Sequence, residues 1–374
     1  MAGCSRSTRF ARPICSRRSP EDSCLTLHLT PAQFVATPVG REDGAVARLA
    51  GGMLWYAAYD VREGARRWTV PVAEVAALGR RAETLHGRFT SPRAPWVMGP
   101  RTLRFDQPQV AGILNATPDS FSDGGKHEGD PAGAAGAGID MAAAGAALVD
   151  VGGESTRPGA TAVWEGDEIA RTVPVIERLA AAGTLVSIDT RKAAAMEAAL
   201  AAGAAIVNDV SALLWDERAL KVVADAGCPV ILMHSPDPKA GGHGRVSYDD
   251  VLLDVFEWLE ARVDAVAAAG VPRESIAVDP GIGFGKSLSD NLQLINGLAS
   301  FHGLGCPVML GASRKRMIGA LSNEAPVDRR LGGSLALAMR GLEAGAQLLR
   351  VHDVAETVQA MRVWRGLRDQ ALVG

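Results

Sequence analysis

From residue 110 onward the sequence repeats one unit: an Ala-rich helix that ends in Gly, a short apolar run rich in β-branched residues, and a polar loop. The repeat predicts seven helix-to-strand joints, each with a Gly where a helix C-cap adopts the left-handed conformation. These glycines are Gly145, Gly183, Gly203, Gly227, Gly270, Gly305 and Gly345. With an opening strand at 110–114, we expect eight strands separated by helices.

Alternating strands and helices build parallel sheets with right-handed crossovers. The predicted strands are short and uniformly apolar, as strands covered on both faces should be. Eight such units in about 260 residues match a (β/α)8 TIM barrel, an α/β fold. A doubly wound sheet of eight strands is the alternative that the same pattern leaves open.

The chain divides into three predicted segments. Residues 1–28 contain five Arg, five Ser and only two acids, a composition similar to that of a transit peptide. We interpret 1–29 instead as a disordered tail, or as residues that result from a start codon placed too far upstream. Residues 30–100 lack the repeat and are predicted to form a small N-terminal extension of unknown role. The barrel is predicted over 101–374.

The N-terminal extension contains recognisable local patterns but no chemical motif. Residues 53–61 and 66–75 read as strands, and residues 72–89 read as a helix. Residues 101–109 are expected to form a hairpin that leads into the first barrel strand. This segment is therefore predicted to be structural, or to be an interaction surface.

The composition excludes several classes of protein. The 374 residues are 47% hydrophobic, and the formal net charge is −3 with mixed signs, which argues against a general nucleic-acid-binding protein. No apolar run approaches the ~18–20 residues that span a bilayer, so no membrane association is expected. Cys228 and Cys306 each precede Pro and an apolar run, which predicts core packing in a reducing, cytoplasmic compartment.

Polar side chains follow every predicted strand, and in a barrel these strand ends meet on one face where active sites lie. A single Asp after a strand can be a helix cap, but polar groups at all eight ends indicate a site. Asp189, Asn208, Asp279 and Asn115 offer acceptors and amides that suit a nitrogen-rich heterocycle. The donors suit phosphate or carboxylate oxygens; they are Lys315, Arg350, His352, Arg157 and Asn115.

Two familiar motifs fail on inspection. The stretch GIGFGKS at 281–287 resembles a phosphate-binding P-loop, but the first Gly that the motif requires falls on Pro280. The seven His residues form no HExxH pair or other close ligand cluster, so a zinc ion held by the protein is not expected.

Seven motifs in order resemble dihydropteroate synthase. They are GILNATPDSFSDGG, DVGGESTRPGA, SIDTRK, NDVSA, DPGIGFGKS, GASRK and RVHDV, and they cover about residues 101–370. The resemblance implies a barrel that condenses 7,8-dihydropterin pyrophosphate with p-aminobenzoate in folate synthesis. It also implies Mg2+, a homodimer and sensitivity to sulfonamides.

The resemblance also implies site residues. Those for the pterin are Asp189, Asn208, Met233, Asp279, Phe284 and Lys315. Those for the pyrophosphate are Asn115, Thr156, Arg350 and His352, with Asn115 also near Mg2+. Those for p-aminobenzoate are Phe121, Thr156, Arg157, Pro158, Lys315 and Arg316. The catalytic residues would be Asp123, Lys315, Arg350 and His352.

The implied mechanism is a dissociative substitution, in which pyrophosphate leaves first and the aniline nitrogen attacks a pterin-stabilised cation. Positioning and electrostatics then supply the catalysis, and Asp123 is expected to stabilise the cation. The loop around Asp123 has little apolar surface, so we expect it to order after the pterin binds. Two alternatives remain: a folate-dependent methyltransferase of the same superfamily and a non-catalytic pterin-binding paralogue.

Overall fold

The computed structural model describes residues 26–116, 130–154, 162–238 and 246–373. Its N-terminal part is an antiparallel sheet in which the third strand pairs with each of the other three. The strands are β1 (Leu27–Val35), β2 (Ala47–Arg48), β3 (Trp55–Glu63) and β4 (Arg66–Pro71). The two strands predicted in this region are present, and β1 already begins at Leu27, inside the predicted tail.

The helix predicted over 72–89 is interrupted. Residues Val72–Leu78 form a 3-10 helix, and helix α1 runs from Arg80 to Thr90. Gly79 lies between them with a φ of 93°, and this left-handed backbone breaks the ladder of helical hydrogen bonds. The hairpin lies earlier than predicted, because β5 (Trp96–Met98) pairs with β6 (Arg101–Leu103).

Eight parallel strands follow, and each lies in the sheet beside the strand that comes next in the chain. They are β7 (Gln109–Asn115), β8 (Leu148–Gly152), β9 (Val186–Asp189), β10 (Ile206–Asp209), β11 (Val230–Met233), β12 (Ile276–Asp279), β13 (Met309–Leu310) and β14 (Leu348–Val351). β14 pairs with β7, and a parallel bridge from Val278 to Val308 joins β12 to the segment before β13. This closure confirms the TIM barrel and rejects the doubly wound sheet.

Helices surround the barrel at the predicted joints. They are α2 (Pro131–Ala144), α3 (Glu165–Ala181), α4 (Ala193–Ala201), α5 (Ala219–Ala226), α6 (Val251–Ala268), α7 (Leu288–Asn296), α8 (Arg316–Leu321), α9 (Leu331–Glu343) and α10 (Val354–Val373). All seven predicted joint glycines have a positive φ. None of the helices in the described ranges is both long enough and apolar enough to cross a membrane.

The interior of the barrel is filled by one small or apolar side chain from each strand or its first flanking residue. These are Ala111, Leu148, Leu185, Ile206, Ile231, Ala277, Met309 and Leu348. Trp96, Leu103 and Phe105 belong to the same cluster, so the β5–β6 hairpin and the residues after it close one end. The Trp96 indole donates to the Glu274 carbonyl oxygen at 2.7 Å.

The N-terminal sheet and the barrel share one continuous hydrophobic core. Tyr59 and Phe89 are fully buried, with ring centroids 5.5 Å apart. On the barrel side, Glu260 of α6 accepts from Arg81 at 2.8 Å and from Arg88 at 2.7 Å. Helix α1, which packs on this sheet through Phe89, is therefore fixed to the outside of α6 by partly buried ion pairs.

Candidate active site

The carboxyl ends of β8, β9, β10 and β14 bring two carboxylates, an amide and a guanidinium together. Arg350 Nη2 donates to Asp189 Oδ2 at 2.6 Å, and Arg350 Nε donates to Asp150 Oδ2 at 2.6 Å. Asn208 Nδ2 donates to the same Asp150 oxygen at 2.9 Å. The strand ends that the sequence predicts to converge therefore do converge.

One of the two carboxylate oxygens of Asp189 is available to a ligand. Its Oδ2 is held by Arg350, whereas Oδ1 is buried and has no hydrogen-bond partner among the described residues. Burial raises the pKa of this carboxyl, and the Arg350 guanidinium opposes that rise. A buried acceptor without a donor is costly, so Asp189 is suited to receive an N–H from a ligand.

Asp150 is a site residue to which the sequence assigned no role. It is buried, and it accepts from Ser187 Oγ at 2.6 Å in addition to Asn208 and Arg350. Burial lowers the pKa of Arg350, but Asp150 and Asp189 outweigh this and raise it. Asp150 thus orients two predicted site residues. Its position after a strand was visible, but a helix cap would have given the same signal.

A second group of residues lies at the ends of β12 and β13. Asp279 is buried, and its Oδ1 accepts from the Gly281 backbone N–H at 2.7 Å. Burial raises the pKa of Asp279. Lys315 places its amine 4.2 Å from the centre of the Phe284 ring, and Met233 is paired with Asp279 in the sheet register. Acid, base, aromatic ring and thioether are thus neighbours.

Lys315 and Arg350 form the basic side of the site. Burial lowers the pKa of Lys315 to about 8, and the Arg350 charge acts in the same direction. Asp279 and Asp189 oppose the shift. Lys315 is therefore mostly charged at neutral pH, and it titrates much closer to neutrality than a lysine in water.

His352 is held as a neutral ring. Burial lowers its pKa to about 4, and the charges of Arg314 and Arg350 add to this. Ser313 Oγ lies 3.0 Å from His352 Nδ1 and accepts from the His352 backbone N–H at 3.2 Å. If the serine hydroxyl donates to Nδ1, the ring proton is on Nε2. His352 then offers a neutral donor to an anionic ligand.

Two predicted residues make no hydrogen bond with these groups in the described ranges. Asn115 is the last residue of β7 and is half-buried, opposite Gly152 in the sheet register. Arg316 is exposed and is the first residue of α8, which has six residues. No hydrogen bond joins either side chain to Asp189 or Asp279 in the described part of the chain. The remaining predicted residues lie outside the described ranges: Phe121, Asp123, Thr156, Arg157 and Pro158.

An ion-pair network borders the undescribed residues 155–161. Glu154 accepts from Arg191 Nη2 at 3.1 Å, from Lys192 Nζ at 3.0 Å, and from the Val163 backbone N–H at 3.1 Å. Lys192 also pairs with the buried Glu168. Glu154 therefore links the residues on both sides of this segment to the end of β9. The sequence did not predict this network, because its members are scattered along the chain.

Residues 111–352 match a family model described as pterin binding enzyme. The chain is 43% identical over 263 residues to the dihydropteroate synthase of Escherichia coli strain K12, which covers 70% of this chain and 92% of that protein. Xanthomonas albilineans dihydropteroate synthase with 4-aminobenzoic acid matches at 46% identity and a TM-score of 0.69, covering 73% of this chain and 98% of that chain. Its complex with 7,8-dihydropteroate matches at 44% identity and a TM-score of 0.67, covering 74% and 99%.

The barrel is thus of the class of pterin-binding enzymes. The chain belongs to the dihydropteroate synthase family, which confirms the resemblance seen in the sequence. The family-model match begins at residue 111, so the sheet of β1 to β4 lies outside it.

Proposed function

We propose that this protein condenses 6-hydroxymethyl-7,8-dihydropterin pyrophosphate with p-aminobenzoate, giving 7,8-dihydropteroate and pyrophosphate. The observation that carries the proposal is the Asp189 carboxylate, buried beside Arg350 with Oδ1 still lacking a donor. The related structures that hold 4-aminobenzoic acid and 7,8-dihydropteroate support this reaction. The protein is accordingly a transferase of folate biosynthesis and a sulfonamide target.

The pterin is bound by the acceptors at the strand ends. Asp189 Oδ1 and Asp279 Oδ2, which accepts no hydrogen bond in the described ranges, receive the amino and ring N–H groups of the pterin, because ionised carboxylates are pure acceptors. Asn208 gives its amide N–H to Asp150, which leaves its oxygen for the ligand. Met233, Phe284 and the stem of Lys315 contact the ring faces. Matching donors to buried acceptors selects a pterin over a carbocycle.

Arg350, His352, Lys315 and Asn115 receive the pyrophosphate as it leaves. Arg350 is held by two carboxylates before any ligand binds, so little reorganisation accompanies the reaction. His352 donates from a neutral ring, and Lys315 carries most of its charge at pH 7. These groups stabilise the charge that develops on the leaving oxygens. The cationic pterin that remains is attacked by the aniline nitrogen, with Asp123 as the stabilising anion.

Of the four residues proposed to receive the pyrophosphate, only Asn115 has a side-chain oxygen that could bind Mg2+, and the substrate phosphates would supply further ligands. Within the described ranges, no three His, Cys, Asp or Glu side chains are grouped so that they could hold a metal ion. Mg2+ keeps several waters and is bound by few protein oxygens together with substrate phosphates, and Asn115 supplies one such oxygen. Bound there, it would neutralise charge on the phosphate oxygens.

The p-aminobenzoate site is proposed from the sequence. Thr156, Arg157, Pro158 and Phe121 are its expected members, together with Lys315 and the exposed Arg316. The ion pairs of Glu154 support this placement, since they link both flanks of residues 155–161 to the strand end that carries Asp189.

A pyrophosphate-release assay tests the proposal. We expect release to require p-aminobenzoate and to equal the dihydropteroate formed. Asp189→Asn, which removes the acceptor charge, should abolish most pterin binding, whereas Asp225→Asn at an exposed ion pair should not. Pterin binding without release would identify a non-catalytic paralogue instead, and methyl transfer from a folate would identify a methyltransferase.

Three further properties are proposed: the location from the cysteines, the dimer from the family resemblance, and the role of Asp123 from the charge of the cation. The protein is a cytoplasmic homodimer, so light scattering should give about twice the 39.0 kDa mass of the chain. Asp123→Asn should lower turnover strongly while leaving pterin binding intact. Turnover within a few-fold of the parent enzyme would remove Asp123 from the mechanism.

A further inference from the structure

The loop between β12 and α7 has an unusual backbone. Gly281, Gly283 and Gly285 all have positive φ, at 71°, 84° and 59°. A Cβ on Gly281 would lie 1.9 Å from the His234 carbonyl oxygen, and one on Gly283 would lie 3.1 Å from Lys315 Cδ. The loop is therefore packed between the end of β11 and Lys315, with no room for a side chain at Gly281 and a tight contact at Gly283.

The amine of Lys286 lies against the backbone of this loop. Its Nζ is 2.9 Å from the Gly281 carbonyl oxygen and 3.3 Å from that of Phe284. It is also 3.0 Å from His234 Nδ1 and 3.4 Å from the His234 carbonyl oxygen. In a P-loop, backbone N–H groups and the lysine surround a phosphate. Here carbonyl oxygens surround the lysine, so the similarity of GIGFGKS to a P-loop does not extend to its structure.

His234 provides a neutral acceptor for this amine. Burial lowers the pKa of His234 well below its usual value, and the Lys286 charge adds to the effect. Burial also lowers the pKa of Lys286 to about 7, although Asp279 and Asp290 oppose this and Lys315 reinforces it. The four contacts give Lys286 a defined place without pairing it directly with any carboxylate in the described residues.

Two site residues depend on the loop that Lys286 holds. The Gly281 N–H donates to Asp279 Oδ1 at 2.7 Å, and the Phe284 ring lies 4.2 Å from the Lys315 amine. We propose that Lys286 is a positioning residue for the pterin site, which fixes Asp279 and Phe284 through the carbonyl groups of Gly281 and Phe284. The inference rests on the proposed function, since it assumes that Asp279 and Phe284 bind a pterin.

The experiment compares Lys286→Met with the parent enzyme, using 6-hydroxymethyl-7,8-dihydropterin as the probe in titration calorimetry. Methionine keeps the stem and removes the amine. We expect the Kd for the pterin to rise about ten-fold or more. The KM for p-aminobenzoate, at saturating dihydropterin pyrophosphate, should change by less than about two-fold. Lys221→Met, at an exposed lysine of α5, is the matched control and should change neither.

A role in stability alone would lower the melting temperature of Lys286→Met and leave its Kd for the pterin unchanged, and that result would overturn the inference. If Lys286→Met does not fold, Lys286→Leu, which also removes the amine, is measured in the same way with the same expectation. If the parent enzyme does not bind the pterin, the proposed function fails and this inference fails with it. An unchanged Kd in the variant beside a binding parent refutes the role of Lys286 only.

Discussion

Arg350 Nε donates to Asp150 Oδ2 at 2.6 Å, although the two residues are 200 positions apart and lie on strands separated by β7. Asp150 holds the guanidinium from one side while Asp189 holds it from the other. Arg350 is thereby placed before any anionic ligand arrives, and Asp189 keeps one oxygen for a second ligand. The contact between Asp150 and Arg350 links the acidic and basic halves of the site.

The first prediction concerns Asp150→Asn. The variant keeps the size of the side chain but removes the charge that pairs with Arg350. We expect a loss of about 2 kcal/mol in the free energy of unfolding, because hydrogen bonds to charged groups contribute about 1.5–3 kcal/mol. The kcat/KM for dihydropterin pyrophosphate should fall about ten-fold or more. Urea unfolding and steady-state kinetics measure the two effects. Equal activity in variant and parent would show that Arg350 does not need this partner.

The second prediction concerns the pH dependence of activity. Because the pKa of Lys315 is lowered to about 8, its ammonium is present below that pH and lost above it. The kcat/KM for dihydropterin pyrophosphate should therefore decline above about pH 8. Unfolding does not explain such a decline, since a lysine with a lowered pKa makes the folded state more stable as the pH rises above 8. Lys315→Arg should remove this limb of the profile, because arginine stays charged. A limb that persists in this variant would assign the titration to another group.

The third prediction separates backbone strain from steric overlap. Gly227 and Gly281 both have positive φ, but a Cβ on Gly227 meets nothing within 4 Å, whereas one on Gly281 overlaps the His234 carbonyl. Gly227→Ala should cost about 1 kcal/mol in unfolding free energy and leave pterin affinity unchanged. Gly281→Ala should also move the loop and weaken pterin binding about ten-fold or more. Calorimetric titration of both variants checks this. Equal affinities would mean that the loop tolerates displacement.

The fourth prediction tests the shared core. Phe89 is fully buried against Tyr59, and Phe89→Ala should cost about 3–5 kcal/mol. Far-UV circular dichroism and tryptophan fluorescence should still report coincident transitions in urea, because the sheet and the barrel share one hydrophobic core. Val97→Ala, at a side chain 71% exposed, is the control. Two separated transitions would show that the N-terminal sheet unfolds independently of the barrel.

The barrel was predictable because its signal is local and repeated. Each joint glycine is required by the helix that it ends, and the following apolar run shows where a strand begins. The errors arose where one residue interrupts a continuous pattern. Gly79 broke a helix whose composition read as unbroken. The hairpin was placed too late, because the turn at Gly99 was not recognised.

The site was predictable only in its outline. Asp189, Asp279, Lys315 and Arg350 follow strands, so the barrel itself brings them to one face. Their partners depend on distances across the fold. Asp150 looks like a helix cap in the sequence, and Lys286 looks like part of a failed P-loop. Their importance appears only when Arg350, Gly281 and Phe284 are seen beside them, and no periodicity along the chain encodes those contacts.

The attachment of β1 and α1 to α6 affects how this enzyme can be shortened. The His28 ring packs edge-on against Phe256 at 5.6 Å, and the Phe89 ring lies beside Gly303. Trimming the chain to the span that its relatives match would expose Phe256 and its neighbours to water. It would also remove Arg81 and Arg88, the two ion-pair partners of Glu260. A shortened enzyme would aggregate through this exposed apolar surface unless those side chains were made polar. The N-terminal sheet therefore serves as a fixed cover for one side of the barrel.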